Sequence, residues 1–444
     1  MDQDRRLRVI SDVMARYRAG RLSRRAVLGV LARLGFTATG ALALVGRGGG
    51  RVKASGASGH SGHFTVLAQE ATPEAPLQEV DTPPAPATPQ LGEQPDGTVV
   101  WRVQVGGVSH EELIEAMAFL PEEITINVGD SVFFEFQGFH TVTFLAGQEA
   151  PPLLVPETAQ GTPIAGATPT AGGERIVVNP AAAFPAGDGT YSGTSFLNSG
   201  LPDPSAPPFT VTFTEPGTHE YLCLVHPAMM KARVVVQEQG ADRPYDQAFY
   251  DQQAAEQLEQ ILEQGRALVE RHSQPTQATP AAGAGGTVWE ITAGVGEGQA
   301  QVLRFLPDRL EIKAGDSVRW VNRAHTEPHT VTFLGGAEPP ELILFEPQPA
   351  GPPSLVLNPE VMQPAGGPAY GGEGYTNSGW LQEESPEFAA GFEAPHTYEL
   401  SFDGPGEFSY YCALHGGPSE EGGTPAAEGG APTLVGMAGT IVVS

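Results

Sequence analysis

The sequence predicts an all-β protein in which two β-sandwich units are joined by a linker that contains one helix. Alternating apolar residues fill 124–128 and 132–136, on either side of a Gly-Asp pair. Alternation with a period of two is the pattern of a half-buried strand, and the pair between the two runs marks a turn. Many short strands separated by turns, with little helical periodicity, favour a sandwich of antiparallel sheets.

The same pattern occurs twice along the chain. Residues 120–132 read Leu-Pro-x-x-Ile-x-Ile-x-x-Gly-Asp-Ser-Val, and residues 306–318 read Leu-Pro-x-x-Leu-x-Ile-x-x-Gly-Asp-Ser-Val. The segment His-Thr-Val-Thr-Phe-Leu then begins at His140 in the first copy and at His329 in the second. A repeat of this length predicts two units of one fold.

Changes in composition set the boundaries between the predicted parts of the chain. They are an export signal at 1–57, a Pro/Ala/Thr-rich linker at 58–97, β units at 98–237 and 286–444, and a helical linker at 238–285. Within the helical linker, apolar residues recur on one helical face. They are Phe249, Leu258, Ile261, Leu262, Leu268 and Val269. We expect this helix to connect the units and to pack on one of them.

The first residues of the chain indicate export. Ser-Arg-Arg-Ala-Val-Leu at 23–28 precedes an apolar stretch of small residues that runs to about Gly46, a pattern that resembles a twin-arginine signal. Arg33 interrupts the apolar stretch, which favours a cleaved leader over a stable membrane anchor. We expect the protein in the periplasm, at the cell surface or secreted, with membrane attachment only peripheral or through an uncleaved leader.

The chain is strongly acidic, with 52 Asp and Glu against 24 Lys and Arg and a formal net charge of −28. Residues 1–53 contain 12 of the basic and 3 of the acidic residues, so the remainder has a net charge of 12 − 49 = −37. Such a surface excludes nucleic acid and anionic lipid as partners and favours basic ones. Acidity that serves solubility alone is the alternative interpretation.

Each unit contains one histidine far upstream of a Cys-x-x-His segment that is followed by methionine. The residues are His140, Cys223, His226 and Met230 in the first unit, and His329, Cys412, His415 and Met437 in the second. The first histidine and the cysteine are 83 positions apart in both units (223 − 140 and 412 − 329). Two imidazoles, one thiolate and a weak thioether suit a trigonal copper site, and they fit neither a closed tetrahedral zinc site nor an iron–sulfur cluster.

Two adjacent methionines compete for the axial position of the first site. Side chains at neighbouring strand positions point to opposite faces, so Met229 and Met230 are not expected to reach one ion together. Aligning the final strands of the two units without gaps pairs Met230 with Met437. The sequence therefore predicts Met230 as the ligand and Met229 as a core or surface-patch residue.

Both units resemble cupredoxins, the blue-copper fold of plastocyanin, azurin and amicyanin. The resemblance implies two Greek-key sandwiches with one type 1 copper in each, ligated by the residues named above. Two features depart from the family pattern. Each unit carries a long Gly/Pro-rich insertion, at about 146–207 and 335–396, and 21 residues separate His415 from Met437. The insertions share Asn-Pro and Asn-Ser-Gly motifs at matching places, so we expect ordered lobes.

The resemblance also implies the function of an exported one-electron carrier. Its partners would be redox proteins, such as a basic cytochrome or a membrane redox complex, and electrons would pass through an exposed edge of His226. An oxidoreductase of the multicopper oxidase or nitrite reductase type is the alternative. Those enzymes relay electrons through a histidine adjacent to the cysteine, and neither Cys223 nor Cys412 has such a neighbour. The remaining alternative is a single disulfide, although the two cysteines occupy equivalent places in separate units.

Overall fold

The computed structural model describes residues 88–156, 175–203, 206–278, 286–324, 326–348, 351–382, 394–419 and 433–444. The predicted export signal and most of the first linker lie outside these residues. Every strand and helix described lies in one compact unit, which contains the described parts of residues 88–202 and 208–444. No helix within the described ranges is long and apolar enough to span a membrane.

Strands dominate the described part of the chain, as predicted. The first half contains β1 (Gly92–Glu93), β2 (Val99–Ser109), β3 (Ile114–Leu120), β4 (Glu123–Asn127), β5 (Ser131–Phe136), β6 (Thr143–Phe144), β7 (Leu154–Pro156), β8 (Ile176–Val178), β9 (Thr190–Tyr191), β10 (Leu197–Asn198), β11 (Thr210–Phe213), β12 (Gly217–Leu222) and β13 (Lys231–Gln237). The second half contains β14 (Thr276–Ala278), β15 (Val288–Glu297), β16 (Ala300–Leu306), β17 (Arg309–Ile312), β18 (Asp316–Arg323), β19 (Thr332–Phe333), β20 (Ile343–Glu346), β21 (Ser354–Leu357), β22 (Pro364–Ala365), β23 (Thr376–Ser378), β24 (Thr397–Phe402), β25 (Gly406–Pro418) and β26 (Leu434–Val443). The helices are α1 (Pro180–Ala183), α2 (Gln247–His272) and α3 (Pro359–Met362). The all-β fold class is confirmed.

The strands form layered sheets around two apolar cores. In the first half, part of an 11-stranded sheet, in the order β3-β2-β5-β11-β9, faces a five-stranded sheet in the order β10-β6-β12-β13-β4. In the second half, β24-β18-β15-β16 of the same large sheet faces a six-stranded sheet in the order β17-β26-β25-β19-β23-β22. Residues from both layers fill each core, including Val103 and Tyr221 in the first and Trp320 and Tyr410 in the second.

The Gly-Asp turn between β4 and β5 is held by a buried carboxylate. Asp130 accepts hydrogen bonds from the Val99 backbone nitrogen and from the Trp101 indole, and it pairs with Arg243 at 2.8 Å. Burial opposes the charge, but the Arg243 hydrogen bond and the surrounding N–H donors outweigh it and hold the pKa of Asp130 below its usual range. Asp316 closes the corresponding turn before β18, and its pKa is also lowered because N–H donors outweigh the effect of burial.

The two halves share two sheets, and both junctions join positions that the sequence repeat aligns. Strand β16 pairs antiparallel with β3, with Gln301 opposite Glu115. A second, four-stranded sheet in the order β20-β21-β8-β7 pairs Val356 with Val177. An antiparallel pair centred on equivalent residues has local two-fold symmetry. The halves therefore meet about an approximate dyad.

Helix α2 lies across the junction between β3 and β16. Asp246 caps its first turn by accepting a hydrogen bond from the Phe249 backbone nitrogen at 2.9 Å. Its buried side chains, including Ile261, Leu262 and Leu268, pack against residues of both strands. Burial of each such side chain contributes roughly 1.5–3 kcal/mol. The expected connecting helix is present, and it packs on both halves rather than on one.

One residue of the predicted apolar helical face is exposed instead of buried. Phe249 is 36% exposed and stacks on Tyr245, with ring centroids 3.9 Å apart. Tyr250 is buried in its place, because its hydroxyl reaches the backbone oxygen and nitrogen of Thr125 while its ring meets Trp101 edge to face. An aromatic ring with a polar tip fits a core edge that still has backbone groups to satisfy.

Candidate metal centres

The first candidate centre collects side chains from two segments of the first half. His140 follows β5, Cys223 follows β12, and His226 lies in the turn between β12 and β13. The two Nδ1 atoms are 3.2 Å apart, and the Cys223 Sγ lies 4.0 Å from Nδ1 of His140 and 3.8 Å from Nδ1 of His226. All three side chains are buried.

The second centre repeats this arrangement in the second half. His329 precedes β19, and Cys412 and His415 lie within β25. The Nδ1 atoms of the two histidines are 3.2 Å apart, and the Cys412 Sγ lies 3.8 Å from Nδ1 of His329 and 3.4 Å from Nδ1 of His415. The structure thus brings together all six predicted histidine and cysteine residues as two groups of three.

These distances suit one ion at the centre of each group. Metal–nitrogen bonds of about 2.0 Å and a metal–sulfur bond of about 2.3 Å in a trigonal plane place the nitrogens about 3.5 Å apart and each nitrogen about 3.7 Å from the sulfur. The observed separations range from 3.2 to 4.0 Å. Both cysteines are free thiols, so the disulfide alternative does not hold in this structure. An iron–sulfur cluster is excluded because each group contains a single cysteine.

The electrostatics of both groups favour a thiolate. Burial alone would raise the pKa of the Cys223 thiol, but hydrogen bonds and positive charge from His140 and His226 outweigh it and hold that pKa well below its usual range. Burial likewise opposes ionisation of Cys412, and the charge of His415 with the hydrogen bonds of both histidines lowers its pKa well below the ordinary value. A thiolate is the form that binds metal.

Backbone amides also point at the sulfur atoms. The Thr141 and Val225 backbone nitrogens each lie 3.3 Å from the Cys223 Sγ, and the Thr330 nitrogen lies 3.3 Å from the Cys412 Sγ. Such N–H donors stabilise negative charge on sulfur and tune the potential of a metal bound there.

A chain of polar side chains ties the first centre to its insertion. Thr141 Oγ1 accepts a hydrogen bond from the Leu224 nitrogen at 2.7 Å and lies 3.2 Å from Thr143 Oγ1, which donates to Asn198. The Asn198 amide in turn donates to backbone carbonyls of α1, including that of Ala182 at 3.1 Å. The described parts of the insertion brace the strand that begins beside His140.

The second half repeats this chain at the aligned positions. Thr330 Oγ1 accepts from the Ala413 nitrogen and lies 2.8 Å from Thr332 Oγ1, which donates to Asn377. The Asn377 amide donates to carbonyls of α3, including that of Val361 at 3.0 Å. The retained Asn-Ser-Gly motif therefore positions the strand that follows the first histidine of the candidate site in both halves.

Two glycines bring the backbone against the first histidine of each centre. A Cβ built on Gly106 would lie 2.4 Å from Nε2 of His140, and one built on Gly294 would lie 2.0 Å from Nε2 of His329. Both glycines have positive φ angles, +78° and +77°. No side chain larger than hydrogen fits between strand and ring, so these glycines define the back wall of each site.

The methionines occupy matching places opposite the cysteines. Just beyond the last pair of the β12·β13 ladder, the Cys223 nitrogen donates to the Met230 carbonyl at 3.0 Å. In the β25·β26 ladder Met437 lies opposite a bulge that contains Cys412. The ladder resumes beyond the bulge as Gly416 pairs with Gly436, so the 21-residue separation from His415 is closed by strand pairing. Met230 and Met437 are both fully buried.

Met229 points elsewhere. Its sulfur lies 3.7 Å from Thr326 Oγ1 and 3.9 Å from Nε2 of Gln301, both in the second half. It is half-buried, whereas Met230 lies in the first apolar core.

The loop histidines face each other across a carboxylate. Nε2 of His226 makes a very short contact with Oε1 of Glu327, and Nε2 of His415 lies 3.5 Å from Oε2 of the same residue. Burial opposes a charge on Glu327, but the two histidines outweigh it and hold the pKa of its carboxyl well below the usual range. Burial opposes a charge on His226, but Glu327 and Cys223 together outweigh it and raise the pKa of that imidazole to about 10.

The expected exposure of His226 is wrong. Its side chain is 4% exposed, because the second half and Glu327 cover the imidazole edge that would otherwise reach solvent. Sequence reasoning also missed Glu327 itself and the two wall glycines. The glycines had a signal, since Trp-x-x-x-x-Gly begins at Trp101 and again at Trp289. Glu327 had no such signal in the repeat, because the aligned residue in the other copy is Gly138.

No protein-family model and no curated protein matches the sequence. Solved structures that are similar include an oxidized mutant of amicyanin, with 19% identity over 31% of this chain and 81% of that chain and a TM-score of 0.16. A Cu(I) mutant of amicyanin has 17% identity over 38% and 98% of the two chains and a TM-score of 0.17. A mutant plastocyanin of fern has 15% identity over 35% and 99%, also with a TM-score of 0.17. Scores this low carry no weight, so the fold assignment rests on the strands and sheets themselves.

Proposed function

We propose that this protein carries single electrons and holds one type 1 copper ion in each of its two candidate centres. The observation that carries the proposal is the pair of buried N, N, S groups, whose donor atoms all lie within 4.8 Å of one another. Soft sulfur with two imidazoles is a copper donor set. Its appearance twice with nearly the same distances argues for a built site rather than for packing.

The residues of each centre would form a preorganised metal site that is shielded from solvent. His140, Cys223 and His226 would hold the ion in the first half, and His329, Cys412 and His415 would hold it in the second. Copper bound there supplies one-electron chemistry between its two oxidation states. The histidines and cysteines do not need to rearrange, since backbone amides, threonine hydroxyls and wall glycines hold them from behind. Burial keeps water from the ion.

Met230 and Met437 are the proposed axial ligands. Each is fully buried and lies across the strand ladder from its cysteine, which is the support for their role. A thioether is a weak, soft copper ligand, so it would adjust the reduction potential of the bound ion. Met229 is assigned to the contact between the halves because its sulfur meets Thr326.

Export by the twin-arginine route and a basic redox partner belong to the same proposal. The support is the Ser-Arg-Arg segment at 23–28 and the net charge of −37 that remains beyond residue 53 (12 − 49). A negatively charged carrier attracts a positively charged partner over long range, and added salt screens that attraction. Association with the partner should therefore slow as ionic strength rises, and a rate that is flat with salt would support solubility as the only role of the acidity.

The proposal is tested by removing one thiolate at a time. The variants Cys223→Ser and Cys412→Ser should each lose one of two bound copper ions and about half of the thiolate-to-copper absorption. His396→Asn, which changes an exposed histidine outside both groups, is the control and should retain both ions. Loss of both ions from either single variant would contradict two separate sites, and loss of neither would contradict thiolate ligation.

A further inference from the structure

Glu327 connects the two centres through their outer imidazole edges. Its two carboxylate oxygens face Nε2 of His226 on one side and Nε2 of His415 on the other. The opposite nitrogen of each ring, Nδ1, is the one that lies within its N, N, S group. A continuous line therefore runs from one group through ring, carboxylate and ring to the other.

We propose that Glu327 electronically couples the two copper centres, so that an electron passes between them through His226, Glu327 and His415. The inference rests on the proposed function, because it requires copper in both sites. One electron leaves the reduced ion of one centre and reduces the oxidised ion of the other, and no other reactant takes part. With each Nδ1 on a metal, the ring proton stays on Nε2, where the His226 N–H donates to an ionised carboxylate and the His415 N–H faces its other oxygen at 3.5 Å.

The carboxylate is held where this line requires it. The side chain of Asn322 is buried and donates to the Glu327 backbone oxygen at 2.9 Å and to the Leu381 carbonyl at 2.7 Å. The His329 nitrogen donates to the same Leu381 carbonyl at 3.0 Å, so the segment that carries Glu327 is fixed to the second centre. Only 9% of the Glu327 side chain is exposed, which keeps competing water from its oxygens.

The approximate dyad explains why one carboxylate serves both centres. Equivalent loop histidines approach each other near the axis, and a carboxylate there has one oxygen for each. The aligned position in the first half is Gly138, which has no side chain, and its φ of +98° disfavours any other residue there. A second carboxylate at that place would set two like charges side by side in a buried space, which is unfavourable. Leu414, which follows the second cysteine by two positions, packs against both apolar cores, so the loop around His415 already lies against the first half.

A Glu327 that only held the two halves together would make the same contacts. The rate of electron transfer between the two centres distinguishes that structural role from electronic coupling. A short light pulse on an added photoreductant can deliver one electron per molecule to the fully oxidised protein, after which the two visible spectra relax toward equilibrium. In the wild-type protein we expect a relaxation whose rate does not depend on protein concentration. Glu327→Gln should slow it by at least about tenfold while both copper absorptions remain. Glu311→Gln removes the same charge at an exposed strand position and should leave the rate unchanged.

A second measurement reports on the bridge without electron transfer. In the copper(I) form, nuclear magnetic resonance of ¹⁵N-labelled histidine should show two Nε2 protons that exchange slowly with water and shift upfield together in Glu327→Gln. If that variant does not fold, Glu327→Asp is the second variant. It keeps the charge but is one methylene shorter, so it should lose one of the two histidine contacts and also slow electron transfer between the two centres.

Three outcomes overturn the inference: a wild-type relaxation that depends on concentration, an unchanged rate in a folded variant, or Nε2 protons unaffected by the substitution. A wild-type protein without the copper absorptions would instead contradict the proposed function.

Discussion

Substituting either wall glycine by alanine should damage one centre and spare the other. A Cβ at Gly106 would lie 2.4 Å from Nε2 of His140 and 2.3 Å from the Gln137 carbonyl, and a Cβ at Gly294 would lie 2.0 Å from Nε2 of His329. Ordinary contacts begin near 3.4 Å, so the ring or the strand must move by 1.0 to 1.4 Å. A shift of that size removes Nδ1 from its place beside the cysteine sulfur.

The magnitude follows from two costs. A side chain at positive φ costs about 1–2 kcal/mol, and overpacking of a filled interior costs about 1–3 kcal/mol. If the histidine ring is displaced in the metal-free variant, copper binding must return it to its place beside the added Cβ. The overpacking cost then lowers the copper affinity. An added cost of about 3 kcal/mol corresponds to copper affinity roughly 100-fold weaker. We expect that loss at the first centre in Gly106→Ala and at the second in Gly294→Ala.

The assay is copper titration of the metal-free protein, followed by visible absorption for each centre. Gly147→Ala and Gly336→Ala are matched controls, since both glycines have positive φ angles, +78° and +88°, but a Cβ on either meets no atom within 4 Å. They should lose about 1 kcal/mol of stability from backbone strain and bind copper normally. Full affinity at both centres in Gly294→Ala would refute the reasoning from ring displacement.

Three further predictions concern the axial ligands, acid stability and enzymatic activity. Met230→Leu should shift the reduction potential and spectrum of the first centre, whereas Met229→Leu should leave both nearly unchanged; the reverse result in a redox titration would give the axial role to Met229. Asp130 and Asp316 have pKa values below the usual value of about 3.9, so they contribute stability that is complete above that pH and is lost as the pH falls below it. Asp130→Asn should lower the free energy of unfolding at pH 7 by about 3 kcal/mol and make that free energy depend less on pH in the acid range. Denaturant unfolding at several pH values measures both effects, and an unchanged pH dependence would contradict this role of Asp130. The purified protein should not reduce oxygen or nitrite at enzymatic rates, and steady turnover would overturn the assignment as a carrier.

The repeat made much of the structure predictable. Strands β4 and β5 lie within one residue of the alternating runs at 124–128 and 132–136, because alternation reports burial of one face directly. The six histidine and cysteine residues were found because the chemistry of a metal site restricts residue type and the repeat fixes spacing. Met437 lies opposite the bulge that contains Cys412 despite the long separation in sequence, since residues added between two paired strands do not alter the register of the pairs before the insertion.

The relation between the halves was not predictable in the same way. The pairing of β3 with β16 and the burial of His226 depend on contacts between residues far apart in sequence, for which a repeat gives no signal. Glu327 illustrates the limit most clearly. It occurs in one copy only, so comparison of the copies marks it as a difference, and its meaning depends on two histidines that the fold brings to it.

The most direct measurement is a copper titration of the metal-free wild-type protein, with metal analysis and visible absorption recorded together. The proposed assignment of one copper ion to each N, N, S group predicts two copper ions per chain, each adding an intense thiolate-to-copper(II) absorption until the second equivalent is bound. Binding that ends at one equivalent, or two equivalents bound without that absorption, would contradict the two-centre structure proposed for this protein.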